Sequence, residues 1–392
     1  MIPAYRDPRG GACFPLDPPR WCGPGRAPLL LTDLPGIPRA AFDPGARGVW
    51  RYRAALPFAP RTPITLGEGA TPLLPLRLGG VTVAVKAEWM MPTGSFKDRG
   101  TTVMLSLLRA QGVREILEDS SGNGGASVAA YAAAGGIRAT ILAPESTSAA
   151  KTLQMRAHGA TVDLIPGSRQ DTSAAAEARA ESVFYASHAW HPFFLQGTKT
   201  LAYEMFEDLG GQAPDNVIVP CGAGSNVLGC AIGFAELVRA GLIARPPRIF
   251  AAQPAACAPV ADAFAGRPPG PVAPTIAEGT AIAAPVRLPE ILAALRASGG
   301  AAVALPEDAI AAATRALAAA GMFVEPTAAQ PAAALERLLA AGQIGPRATT
   351  VLVLTGSGLK AAARWSEMLA AGPGFAAAVA PAQHPPSQGV SP

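Results

Sequence analysis

Short apolar runs alternate along this chain with longer alanine-rich amphipathic ones, and that order restricts the fold more than any other feature. VTVAVKAE (81–88), REILEDS (114–120), RATILAP (138–144), TVDLIPG (161–167), NVIVPCG (216–222), RIFAAQP (248–254) and TTVLVLTG (349–356) read as strands. Helical periodicity fits 97–111, 124–135, 148–158, 171–183, 197–209, 225–240, 306–320, 327–341 and 358–370. Strands separated by helices build an α/β architecture with largely parallel sheets. In such sheets ligands bind beyond the carboxyl ends of the strands, where strand turns into helix. Four of those turns are rich in Gly, Ser, Thr and Asn: PTGSFK (92–97), SSGNGG (120–125), CGAGSN (221–226) and TGSG (355–358). Four small polar turns at strand ends point to one shared polar ligand.

The turns differ in what they offer. CGAGSN follows an apolar strand and opens a helix, where free N–H groups and the helix dipole suit a phosphate. It has neither the Gly-Lys-Ser/Thr of a triphosphate loop nor the G-x-G-x-x-G spacing of a dinucleotide site. In SSGNGG, Ser120, Ser121 and Asn123 with the backbone amides hold a carboxylate, or Asn123 caps the helix. In TGSG, Thr355 or Ser357 meets a ring nitrogen or shapes the turn. PTGSFK carries Lys97, one of only five lysines among 32 cationic side chains. A guanidinium stays protonated, whereas an amine can lose its proton and attack a carbonyl. Lys97 is therefore a candidate nucleophile, a property it shares with Lys86, Lys151, Lys199 and Lys360.

Composition narrows the classes. At 392 residues the chain exceeds one ordinary hydrophobic core, so two lobes are expected. With 49% hydrophobic and 15% charged residues and a net charge of +4, it is neither a disordered chain nor an electrostatic nucleic-acid binder. Residues 216–235 are uncharged, but Pro, Ser, Asn and glycines interrupt them, which gives a buried strand, loop and helix rather than a membrane span. No apolar segment follows a basic start, so no secretory signal is expected. Cys13, Cys22, Cys221, Cys230 and Cys257 form no C-x-x-C pair and read as reduced thiols of a cytoplasmic protein. His188 and His191 lack a third ligand, which points to structural histidines and no metal centre. A G-x-S-x-G elbow is missing, against a Ser-His-Asp hydrolase. Residues 1–48 read as an extended arm and 376–392 as a disordered tail.

Several segments in order carry a family resemblance: VWRY (49–52), LGEGATPL (66–73), KAEWMMPTGSFKDRG (86–100), SSGNGGASVAAYAAAGG (120–136), KTLQMRAHGATV (151–162), GTKTLAYE (197–204), VPCGAGSNVLG (219–229), TIAEGTAI (275–282), VEPTAA (324–329) and VLTGSGLK (353–360). Over residues 48–365 the chain resembles the threonine synthase-like branch of the fold type II pyridoxal phosphate enzymes. That resemblance implies two lobes, each with a mainly parallel sheet flanked by helices: a large cofactor-binding domain at 49–100 and 200–375 and a small one at 101–199. It implies pyridoxal 5'-phosphate bound covalently by Lys97, its phosphate held by Gly222, Ala223, Gly224, Ser225 and Asn226. Asn123 then meets the ring hydroxyl, Thr355 the ring nitrogen, and Ser120, Ser121 and Gly122 the substrate carboxylate. It also implies a cytoplasmic homodimer acting on a small-molecule amino-acid substrate, which the departures below make larger or more apolar, with no nucleic-acid or membrane partner.

A neutral hydroxyl at the ring nitrogen makes a weaker electron sink than a carboxylate there, which favours prompt expulsion of a leaving group over transamination. Lys97 is the natural base for the α-proton. Several departures bear on the substrate. Family members that use O-phosphohomoserine carry an arginine for its phosphate in a segment like N-P-x-R-x-E-G-x-K-T. Here HPFFLQGTKT places Phe194 there, and a phenyl ring cannot pair with a phosphate. Gly124 stands where a threonine usually follows the asparagine, and Met91 where an asparagine usually precedes Pro-Thr-Gly. Only Cys13 and Cys22 remain of the four-cysteine zinc ribbon found before VWRY in relatives, so no zinc is expected. The expectation is a lyase of amino-acid metabolism that eliminates or replaces a side-chain group other than that of O-phosphohomoserine. The alternatives are threonine synthase itself, a serine/threonine dehydratase-like lyase, or a non-catalytic cofactor-binding protein.

Overall fold

Thirteen strands and twelve α-helices fill the described part of the chain, which in this computed structural model is residues 2–370. The tail expected at 376–392 lies outside it. The first strands, β1 (Ala4–Arg6), β2 (Cys13–Pro15) and β3 (Leu30–Leu31), pair antiparallel in the order β2-β1-β3. The arm is thus anchored rather than trailing. Tyr5, Leu29 and Leu31 are buried in the body, and Tyr5 stacks on Phe193 with ring centroids 5.6 Å apart.

Two sheets follow. The larger has six strands in the order β12-β11-β10-β13-β5-β4, from β4 (Leu73–Leu78), β5 (Val81–Lys86), β10 (Asn216–Pro220), β11 (Arg248–Pro254), β12 (Ala301–Leu305) and β13 (Thr350–Val353). All neighbours are parallel except β4 and β5, which Gly79 and Gly80 join at φ +59° and +79°. Those left-handed angles are the ones a tight two-residue hairpin needs. The smaller sheet is parallel throughout, in the order β8-β7-β6-β9: β6 (Glu115–Glu118), β7 (Arg138–Pro144), β8 (Thr161–Ile165) and β9 (Phe184–Tyr185).

The helices are α1 (Lys97–Ala110), α2 (Asn123–Gly135), α3 (Ala149–Ala157), α4 (Arg169–Arg179), α5 (Pro192–Thr198), α6 (Thr200–Asp208), α7 (Ser225–Arg239), α8 (Pro259–Phe264), α9 (Leu288–Ala297), α10 (Glu307–Ala319), α11 (Pro326–Ala340) and α12 (Ala362–Ala370). Alternation of side chains along a strand explains why the sheets need helices on both faces. Val217, Val219 and Val351 join one core with Leu237 and Ile291, whereas Ile218 and Leu352 join another with Leu317 and Leu335. In the smaller sheet Ile116 and Ile141 face Val128, while Leu117 and Leu142 face Ala176. No helix among the described residues is long and apolar enough to cross a membrane.

The observed elements depart from the periodicity in identifiable ways. The helix expected at 197–209 begins earlier, at Pro192, because proline suits the first helical position and His191 Nδ1 accepts from the Phe193 amide at 3.2 Å. It divides at Lys199 into α5 and α6. The strand expected at 349–356 stops at Val353 because the next residues leave the ladder to bond the segment before Lys97. Strands β4, β9 and β12 and helices α8 and α9 had too short or too irregular a pattern to be read.

Candidate active site

Three neighbouring strands of the large sheet deliver three of the polar turns to one edge. Beyond β5 comes the segment Met91–Lys97, beyond β13 the turn Thr355–Gly358, and beyond β10 the turn Gly222–Asn226. The fourth turn, Ser120–Gly124, follows β6 of the small sheet. The first two are zipped together. The Phe96 amide donates to the Thr355 carbonyl at 2.9 Å, the Ser357 amide to the Gly94 carbonyl at 2.9 Å, and Ser95 bridges Gly356. Met91, buried, accepts the Gly69 amide on Sδ at 3.2 Å, so the residue that departs from the family pattern has become part of the packing.

Lys97 opens α1 and is partly buried. Its Nζ lies over the rings of Phe96 and Phe194, 4.8 and 5.5 Å from their centroids. Burial lowers its pKa to about 8, with Arg169 acting the same way and Glu118 and Glu325 opposing. A lysine that releases its proton near neutrality is a usable nucleophile and base. The Thr355 hydroxyl has no hydrogen-bond partner among the described residues, although Thr355 is buried.

The glycine turn before α7 has the form of an anion cradle. Among the described residues the amides of Gly222, Ala223, Gly224, Ser225 and Asn226 donate to no protein acceptor. Gly224 is left-handed at φ +81°, and a Cβ there would fall 2.2 Å from Ile291 Cδ1, so no other residue fits. Asn226 is buried with Oδ1 unpartnered, and Ser95 Oγ is also buried without a partner. Free amides at the start of a fifteen-residue helix fit a phosphate.

Ser120–Gly124 repeats the arrangement at α2, since those amides also find no protein acceptor among the described residues. Asn123 does not cap the helix. Gly122 holds the N-cap position without a side-chain bond, and Asn123 Nδ2 donates to Glu325 Oε1 at 2.9 Å. Glu325 is raised to about 7 by burial, against the pull of Lys360, Asn123 and Lys97. It links the two lobes' turns, because its own amide donates to the Gly356 carbonyl at 3.0 Å.

Phe194 is fully buried, and its ring centroid is 5.7 Å from that of His188. His188 pairs through Nδ1 with Glu118 Oε1 at 2.9 Å, and its amide donates to Glu118 Oε2 at 3.0 Å. A Cβ on Gly124 would lie 2.8 Å from Ser120 Oγ and 2.9 Å from His188 Nδ1, so the imidazole occupies the room a side chain at 124 would need. His191 is buried against Phe193 with Nε2 unpartnered among the described residues, and burial and Arg287 lower its pKa to about 3.

No motif marks Glu118, Glu325 or the pairing of His188; VEPTAA contains Glu325 but assigns it no role. Glu118 ends β6 beside Asp119, and a carboxylate at the carboxyl end of a strand is the available signal.

Known proteins are similar to this chain in sequence and fold. A family model described as pyridoxal-phosphate dependent enzyme matches residues 64–356. The threonine synthase of Methanocaldococcus jannaschii is 38% identical over 336 residues, covering 82% of this chain and 83% of that protein. The threonine synthase of a Synechocystis species is 36% identical over 355 residues, covering 84% and 91%. Among solved structures, a threonine deaminase from T.th. aligns with a TM-score of 0.62 at 28% identity, covering 73% of this chain and 92% of that one. Maize serine racemase aligns at 0.63 with 23% identity, covering 77% and 93%, which supports the fold alone. The chain belongs to the pyridoxal-phosphate dependent enzyme family, with the fold type II architecture of two helix-flanked parallel sheets, and its cofactor is pyridoxal 5'-phosphate.

Proposed function

We propose that this protein eliminates or replaces a group on the side chain of an amino acid that lacks a second phosphate. Pyridoxal phosphate, when bound, draws electrons from the α-carbon of the amino acid. Lys97 holds the cofactor and, once released, takes the α-proton. The amides of Gly222, Ala223, Gly224, Ser225 and Asn226 hold its phosphate, Asn123 (oriented by Glu325) meets the ring hydroxyl, and Thr355 meets the ring nitrogen. Ser120, Ser121 and Gly122 hold the substrate carboxylate, which the free amides before α2 favour.

The observation that carries this reading is Phe194. It stands where a phosphate-pairing arginine is expected, and it is packed between α1 and the His188 segment with no cation over its ring, among the described residues, except Lys97. The test is turnover by the cofactor-loaded protein. Ammonia or keto-acid release from small amino acids is the expected result; release of inorganic phosphate from O-phosphohomoserine at a comparable rate would sink the proposal.

A second reading, threonine synthase proper, is favoured by Arg169. This residue opens α4, is half-buried, and forms no ion pair among the described residues, yet its charge is felt by Lys97, Glu118 and His188. It is the cation that a substrate phosphate would use. In that case phosphate release is seen and Arg169→Gln raises KM for O-phosphohomoserine by about tenfold or more, the loss expected for one charge-assisted contact.

A further inference from the structure

We propose that Glu118 and His188 form a proton relay to the group that leaves the substrate, which makes His188 a second catalytic residue and Glu118 its positioning partner and proton source. This rests on the reading of the site as one for side-chain elimination, and it names the substrates: amino acids whose leaving group is a hydroxyl on the β-carbon. Hydroxide is a poor leaving group and needs a proton as it departs.

The geometry supports a relay rather than a packing contact. The Glu118 carboxyl is fully buried and its two oxygens are both fixed on one residue, Oε1 on His188 Nδ1 at 2.9 Å and Oε2 on the His188 amide at 3.0 Å. His188 Nε2 has no hydrogen-bond partner among the described residues, and the residue keeps 6% exposure. The ring lies against Gly124 in the turn that offers its amides to the substrate carboxylate, and beside Phe194, over which Lys97 Nζ sits. Three further contacts hold the segment: Arg287 donates to the carbonyls of Ala189, Trp190 and Leu29, tying it to α9 and the arm.

The charges facing the pair are Lys97 from α1, Asp119 beyond β6 and Arg169 from α4; Gly124 and Phe194 are neutral. Burial raises Glu118 to about 7 and, with Lys97, holds His188 well below its ordinary value. The shared proton therefore rests on the carboxyl at acid and neutral pH, and the imidazole stays uncharged. In the reaction Glu118 gives its proton to Nδ1 while Nε2–H gives its own to the departing oxygen. The C–O bond pair leaves with the oxygen to make water, Lys97 takes the α-proton, and the pair from the C–H bond forms the new double bond. Glu118 ends as carboxylate and Lys97 as ammonium, and proton return through solvent resets both.

The test uses the cofactor-loaded full chain and the variants Glu118→Gln and His188→Asn. L-serine and L-threonine are compared with β-chloroalanine, whose chloride leaves without a proton. Both variants should lose about 10²-fold or more in kcat on the hydroxy amino acids, the scale of one general acid, and less than about threefold on β-chloroalanine. Equal losses on both substrate types, or none on the hydroxy amino acids, would overturn the relay. A second arm reads the protein itself: ¹⁵N imidazole NMR of the chain's four histidines. His188 should stay neutral and pass from the Nε2–H to the Nδ1–H tautomer as pH rises through about 7, and Glu118→Gln should abolish the change. An imidazole that instead protonates near its ordinary pKa overturns the relay. If the wild type turns over neither substrate type, the elimination reading fails, and the tautomer arm alone decides the relay.

Discussion

Lys97 and Arg99 stand two residues apart in the first turn of α1, and their surroundings treat charge in opposite ways. Arg99 is fully buried and saturated. Nε and Nη2 bond Glu88 at 2.7 Å each, and Nη1 bonds Glu204 at 2.6 Å. Glu204 also takes Lys86 Nζ at 2.8 Å, and Lys86 reaches Asp208 at 2.6 Å and the Thr71 carbonyl at 2.6 Å. Around Lys97 the carboxyls of Glu118 and Glu325 are buried with no Lys or Arg bonded to them among the described residues, and Lys97 bonds neither. In the first cluster burial alone would raise Glu204, but Arg99 and Lys86 bring it to about 2. In the second, burial wins: Glu118 and Glu325 rise to about 7 and Lys97 falls to about 8. Paired charge fixes a structure, whereas unpaired buried groups titrate near neutrality and can move protons.

The largest break in that contrast is Lys97→Ala. It should abolish the cofactor's Schiff-base absorbance and lower turnover by about 10³-fold or more, while the melting temperature of the cofactor-free protein hardly moves, because the amine makes no hydrogen bond or ion pair among the described residues. Arg99→Ala does the reverse. It strands Glu88 in the core and leaves Glu204 with Lys86 as its one ionic partner among the described residues, at a cost of about 3–5 kcal/mol, read by denaturant unfolding of the cofactor-free chain. Equal effects of the two substitutions on stability would remove the distinction.

How much of this contrast the sequence disclosed depends on the range of the contacts. Lys97, Asn123, Thr355 and the turn Gly222–Asn226 lie in local motifs at strand ends, and a strand-turn-helix pattern with small residues is legible because the turn's chemistry is local. Glu118 and His188 are seventy residues apart, and Asn123 and Glu325 are two hundred and two apart. No periodicity links such pairs; only the pairing of β6 with β9 and the meeting of the two lobes bring them together. The arm was opaque for the same reason. Its strands are two or three residues long, and what fixes it is the burial of Tyr5, Leu29 and Leu31 against distant side chains.

A subtler test concerns the space at Gly124. The imidazole of His188 and the missing side chain at 124 are complementary, so Gly124→Ala alone forces a contact of 2.9 Å or less and should cost about 1–3 kcal/mol. His188→Ala removes the obstacle. In the double variant the penalty of the added methyl should shrink by about 1 kcal/mol or more, a coupling that distant sites do not show. Additive effects would mean that the two residues do not share the volume.

The smallest effect separates the clusters by pH alone. A carboxyl whose folded pKa is raised adds stability below its unfolded value near 4.5 and loses it as pH climbs to the folded value. Glu118 therefore weakens the fold between pH 4.5 and about 7. Glu204 has the opposite sign, since its depressed pKa adds stability above 4.5 that disappears as pH falls toward 2. Glu118→Gln keeps the shape and removes the titration, so it should raise the melting temperature of the cofactor-free protein at pH 8 by about 2 °C relative to its effect at pH 5. Glu204→Gln should lower it at pH 7 and progressively less on acidification. Parallel pH profiles for the two variants would mean that both clusters are held by the same pairing, and Glu118 would then have no proton to give at neutral pH.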